Sequence, residues 1–182
     1  MGTTYTIKVV TDDDLSGLHE EIESELARIN MIMSTYITES ELSKLNSGSI
    51  GVPVEISQDL AGLLLLSKEL NSVTKGAFDV TIGPLVNLWG FGPIEETENI
   101  PTPDEIVDQL DRVGLSKLGL DGSTAYRMAD IYVDLSGIAK GFAVDRIASL
   151  LAENSYTDYL IEIGGELKVG GSNEEDRLWS IA

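Results

Sequence analysis

A mixed α+β fold built on a mainly antiparallel sheet is what this sequence predicts, on three observations. A segment with apolar residues at every second position opens the chain, long stretches with three-to-four apolar spacing follow, and glycine-bearing turns join short β-rich runs in the last third. Hairpins mixed with helices in this way argue against a doubly wound parallel sheet, in which strands and helices alternate.

Thr4 to Val10 places Tyr5, Ile7 and Val9 on one face, the period of a half-buried strand. Asp12 to Asp14 then offer N-caps for a helix carrying Leu15, Leu18, Ile22, Leu26 and Ile29. Thr38 and Glu41 have capping-box spacing ahead of Leu42 and Leu45, which predicts a short helix. A longer one is expected from about Gln58 to Val73, with Gly76 just past its end. Gly76 to Pro93 fits no periodic element and reads as an ordered loop or a set of tight turns, because it is too apolar for a flexible linker. Ile94 to Pro101, with Glu95, Glu96 and Glu98, is the better linker. Thr102-Pro103-Asp104-Glu105 is a dense helix start, and Gly114 is expected to close that helix. Leu118 to Leu120 and Tyr126 to Met128 flank an Asp121-Gly122 turn, Ile131 to Leu135 reads as a further strand, and Gly137 to Leu151 as a helix. Tyr159 to Ile163 and Leu167 to Val169 are strands around Gly164-Gly165-Glu166, and the chain stops at Trp179-Ser180-Ile181-Ala182 inside what reads as another strand.

Composition narrows the functional classes. A chain of 182 residues, 42% hydrophobic, suits one domain with a real core. With 31 acidic against 12 basic residues the formal charge is -19, a field that repels nucleic acid and anionic lipid. There is no cysteine, which excludes disulfides, thiolate zinc sites and cysteine nucleophiles, and the single histidine, His19, sits in a helix-like run of Glu and Leu. No stretch approaches the roughly 20 apolar residues of a membrane span.

Chemistry concentrates in two places. From Tyr132 to Gly141 a strand-like run ends in Asp134, Ser136-Gly137 opens a helix, and Lys140 falls in its first turn. Free N–H groups and a cation at a helix start suit a phosphate or carboxylate. Equally, Gly137 eases a turn, Ser136 caps the helix and Lys140 is a solvated surface residue. In the apolar loop, Asp79 stands between Phe78 and Val80, where an unpaired carboxylate would be costly. It either caps a neighbouring turn or accepts from ring or ribose donors of a ligand, to which Tyr36, Phe78, Trp89 and Phe91 could offer flat faces.

Five blocks in order carry a resemblance: Met1-Gly2-Thr3-Thr4; Met33 to Tyr36 with Ser40 to Asn46; Gly76 to Pro93; Val133 to Asp145; and Glu162 to Glu166. Together they closely resemble successive motifs of the ApbE family of FAD:protein FMN transferases, from Met1 to the last residue. The resemblance implies FAD contacts at Met1, Tyr36, Ala77, Phe78, Asp79, Asp134 and Lys140, and a metal contact at Gly137, through its backbone carbonyl because glycine has no other acceptor. It implies Mg²⁺ as cofactor and, as partner, a client protein with an acceptor Thr or Ser, such as a subunit of a redox-driven ion pump. It also implies a periplasmic lipoprotein anchored to the inner membrane. The family continues through a Ser-His-Ile-Asp-Pro-like stretch and an Asp-x-x-Asp-Thr-like Mg²⁺ group, neither of which occurs in these residues. The expectation is one flavin-transferase domain, residues 1–182, representing the N-terminal portion, with general base and carboxylate metal ligands supplied from elsewhere. Two rival readings share the pocket: an FAD-storing module without turnover, and an FAD pyrophosphatase releasing FMN and AMP.

Overall fold

The computed structural model describes residues 2–93 and 100–181, so Met1 and most of the expected linker, including Glu95, Glu96 and Glu98, lie outside the described residues. The chain divides into two compact units, Met1–Ile29 with Ser136–Ala182, and Asn30–Leu135.

In the first unit the opening alternation produces strand β1, Tyr5–Val9, with its odd residues half-buried and its even ones exposed. Strand β1 pairs antiparallel with β5, Tyr159–Ile163, which pairs antiparallel with β6, Glu166–Gly170, in the order β1-β5-β6. The β5–β6 hairpin turns on Gly164 and Gly165, whose φ angles of 56° and 94° supply the positive-φ pair that a two-residue loop of this hand requires. Helix α1, Leu18–Met33, starts in this unit, three residues later than expected. Gly17, at φ 96°, cannot continue a right-handed helix backwards, and Asp14 instead accepts from the Ser16 N–H at 2.9 Å as a local turn. Helix α6, Ser136–Glu153, packs on β5 and β6. Arg146 of α6 reaches Glu25 of α1 at 3.0 Å, and Ile22, Leu26, Ile147, Leu151, Ile161 and Ile163 form the core between these elements. The expected strand at the C-terminal end is absent among the described residues: only a single bridge, Ser172 with Leu178, forms there.

The second unit holds helices α2, Glu41–Ser47; α3, Gln58–Val73; α4, Gly83–Leu88; and α5, Pro103–Leu110. Its antiparallel sheet, in the order β2-β4-β3, contains β2, Val54–Glu55, β3, Leu118–Asp121, and β4, Thr124–Arg127. Ser40, not Thr38, caps α2 by accepting from the Ser43 N–H at 3.0 Å. Glu41, placed by the spacing in a capping box, accepts instead from the Ser57 N–H at 2.8 Å, where Ser57 caps α3. The α5 start is a full capping box between Thr102 and Glu105, as its sequence predicts, although the helix ends at Leu110 before Gly114. The apolar loop contains a helix after all. Pro84 in the first turn of α4 pre-sets its φ, and six residues are too few to display a helical period. The resulting architecture is α+β with two antiparallel sheets.

Candidate functional site

In the second unit the turn at residues 79–82, which leads into α4, lies beside residues 131–135. The Asp134 N–H donates to the Val80 carbonyl at 2.7 Å, and Ile82 and Tyr132 form a parallel bridge. Asp79 and Asp134 therefore stand on neighbouring backbones. The expected strand at Ile131 to Leu135 joins neither sheet and makes only the single bridge at Tyr132. Its missing neighbour is replaced by one side chain: Asn46 of α2 donates to the Val133 carbonyl at 2.8 Å and accepts from the Val133 N–H at 2.8 Å. Gly83 is needed for the close approach, because a Cβ there would lie 2.4 Å from the Tyr132 ring and 2.6 Å from its carbonyl oxygen.

Asp79 is half-buried, and its carboxylate gathers three stretches of chain. One oxygen accepts from the Thr81 N–H at 2.8 Å and the Thr81 hydroxyl at 2.6 Å. The other accepts at longer range from Asn71 Nδ2 at 3.4 Å and the Leu115 N–H at 3.3 Å. Thr81, fully buried, accepts in turn from the Gly114 N–H at 2.6 Å. Asn71 also holds the Phe78 carbonyl at 2.7 Å. Phe78 is half-buried beside it and Ala77 is exposed.

Asp134 is buried, at 7% exposure, two residues after the half-buried Tyr132. Burial raises the Tyr132 phenol above its ordinary pKa, and the Asp134 carboxylate and Tyr36 raise it further, while a hydrogen bond with Asn46 acts in the opposite direction. Asp134, Asn46 and Tyr36 thus all lie within electrostatic reach of the Tyr132 phenol. Tyr36 is 66% exposed, and its hydroxyl donates to the Phe91 carbonyl at 2.9 Å, with the Phe91 ring exposed alongside. Next to Tyr132 a cavity of about 240 Å³ is lined by Thr35, Thr38, Ser43, Asn46 and Ser47. The second unit thus presents exposed aromatic faces and hydroxyls, groups suited to a planar, polyhydroxylated ligand, while the Asp79 carboxylate is engaged by its own chain.

The other two predicted contacts belong to the first unit. Gly137 is the second residue of α6, where a carbonyl points along the helix axis. Lys140 is the fifth residue, beyond the first turn in which the sequence placed it. Its ammonium donates to the Gly164 carbonyl at 2.9 Å and lies 3.8 Å from Glu166. Among the described residues no group of three His, Asp or Glu side chains converges on a space for a metal ion, so these side chains alone do not make a Mg²⁺ cage.

Sequence reasoning missed Asn46, Thr81 and Tyr132 as organisers. A signal existed for Asn46: it shares the buried face of α2 with Leu42 and Leu45, and an amide in an apolar stripe needs partners. Thr81 carried a local one in its two-residue spacing after Asp79, whereas Tyr132 carried none, since its neighbours come from segments distant in sequence.

The ApbE family matches residues 1–182. The FAD:protein FMN transferase of Haemophilus influenzae is 44% identical over 192 residues, covering 100% of this chain and 56% of the relative. That of Vibrio cholerae is 40% identical, again over 100% of this chain and 56% of the relative. Among solved structures, flavin transferase ApbE from Vibrio cholerae superposes with a TM-score of 0.96 at 39% identity, covering 100% of this chain and 60% of that one. The apo flavinyl transferase ApbE of Pseudomonas stutzeri gives 0.93 at 33% identity, with 100% and 62% covered. The chain therefore spans little more than half the length of the curated relatives it matches, and within that span it belongs to the ApbE family.

Proposed function

We propose that this chain is the flavin-holding portion of an FAD:protein FMN transferase, its two units parts of one transferase domain. The observation that carries the reading is likeness along the whole chain to proteins named for that activity, 44% identity to the Haemophilus influenzae enzyme and a TM-score of 0.96 to the Vibrio cholerae one. Met1, Tyr36, Ala77, Phe78, Asp79, Asp134 and Lys140 are the proposed flavin-binding residues. The adjacency of the Asp79 and Asp134 segments supports the grouping of those two.

In the proposed reaction a Thr or Ser hydroxyl of a client protein attacks the FMN-side phosphorus of FAD. A phosphoester to the client forms, the bond to the bridging pyrophosphate oxygen breaks, and AMP leaves with that oxygen. Bound Mg²⁺ would neutralise pyrophosphate charge in this chemistry. Gly137 would give it at most a backbone carbonyl, and the carboxylate ligands and general base would come from outside the described residues. The client is proposed to be an extracytoplasmic protein such as a pump subunit, with the enzyme exported and lipid-anchored. Among the described residues no helix is long and apolar enough to cross a membrane.

Incubating the chain with FAD and Mg²⁺, with and without a client peptide bearing the acceptor Thr, and again with the remaining part of the family's length present, tests the reading. Flavin-labelled peptide and AMP are expected in the complete mixture. FMN and AMP without labelled peptide would replace transfer by hydrolysis, and unchanged FAD bound to the protein would leave only storage.

A further inference from the structure

Resemblance offers Asp79 as a flavin contact, yet its carboxylate is occupied by its own chain. An ionised carboxylate has about four acceptor positions. Asp79 meets donors from the Thr81 N–H, the Thr81 hydroxyl, Asn71 Nδ2 and the Leu115 N–H, the first two at 2.8 and 2.6 Å and the others at 3.4 and 3.3 Å. The Asn71 amide that reaches Asp79 also holds the residue before it. Phe78 donates its N–H to the Thr74 hydroxyl at 3.1 Å and offers its carbonyl to Asn71 at 2.7 Å, so both ends of its backbone are tied to the end of α3. Thr81 closes the arrangement from the far side, since its hydroxyl donates to Asp79 while accepting from Gly114 at 2.6 Å, in a fully buried position where no ligand reaches.

We infer that Asp79 serves flavin binding as a positioning residue, with Thr81 as its partner: the pair fixes the course of the Ala77–Phe78 segment and presents it to the ligand. The inference rests on the proposed flavin reading and adds to it how the central carboxylate acts. A direct contact would depend on Asp79 alone. A positioning role depends equally on a buried hydroxyl that touches no ligand.

The deciding variant is Thr81→Val, which keeps shape and removes the hydroxyl, compared with Thr81→Ser, Asp79→Asn and the Asp79→Asn, Thr81→Val double variant. FAD affinity is read by titration at a temperature where circular dichroism shows each variant folded, and amide hydrogen exchange is followed over residues 77–82. The expected result is a rise in the FAD Kd of about tenfold for Thr81→Val, the scale of one lost structural hydrogen bond. Exchange at Ala77 and Phe78 should quicken, and Thr81→Ser should restore both. The double variant should cost no more than the worse single one, because the two residues act as one unit. Unchanged affinity in Thr81→Val beside weakened affinity in Asp79→Asn would overturn the inference and return Asp79 to direct contact. Should Asp79→Asn fail to fold, the Thr81→Val and Thr81→Ser pair still decides, since a role in folding alone leaves the Kd of the folded protein unmoved. No FAD binding by the unaltered chain would sink the functional reading first, whereas binding with a tolerant Thr81 sinks only this inference.

Discussion

Replacing Asn46 with leucine keeps the side-chain volume and removes both hydrogen-bonding ends. The Val133 N–H and carbonyl, paired at 2.8 Å each, would then be buried without partners. We expect a loss of about 2–4 kcal/mol in urea unfolding, the cost of leaving a buried donor and a buried acceptor unmet. A loss below half a kcal/mol would mean that water or a shift of residues 131–135 replaces the amide. Glu25 permits a test by pH. The Arg28 guanidinium hydrogen-bonded to it lowers its pKa from 4.5 to about 2, Arg146 adds to the effect, and burial opposes it. Because the folded value is depressed, the stabilisation is present above the unfolded value of 4.5 and is lost as pH falls from 4.5 towards 2. Glu25→Gln should therefore be less stable than the unaltered chain at neutral pH and converge with it in acid. Parallel stability curves across that window would refute the assignment.

At the scale of elements, α4 is held against residues 131–135 by the absence of a side chain at Gly83. Gly83→Ala would press a methyl onto the Tyr132 carbonyl, 2.6 Å away, and a backbone oxygen cannot swing aside as a side chain can. The expected cost is about 1–3 kcal/mol, with the near-ultraviolet tyrosine signal altered as Tyr132 moves. An alanine variant matching the unaltered chain in both would show that α4 is free to shift. The α5 capping box provides a local comparison: Thr102→Ala should cost about 1 kcal/mol and leave the Tyr132 signal untouched, since the cap satisfies only helix-end groups.

For the molecule as a whole, a formal charge of -19 means that compaction works against its own field. The Tm should rise between low salt and about 0.3 M NaCl, where the screening length falls well below the size of a domain. A Tm independent of salt would show that the ion pairs already present, such as Arg146 with Glu25 and Lys168 with Asp145, neutralise the field locally.

Elements with strong local signals were legible in the sequence. Strand β1 alternates, α3 runs from Gln58 to Val73 as its apolar spacing requires, and the Thr102–Glu105 box begins α5, because period and capping are properties of consecutive residues. The two glycines of the β5–β6 hairpin belong to the same class. Local signals failed where partners come from afar. Glu41 reads as a cap for its own helix and instead holds the start of α3, and residues 131–135 read as a strand but pair with an asparagine side chain. The site divides along the same line. Sequence motifs indicated the family, since the five blocks stand in the family's order along the chain. Only the fold assigned Asp79 its donors, through Asn71 eight residues before it and Leu115 thirty-six after, because a carboxylate's occupancy is decided by whatever the folded chain brings to it.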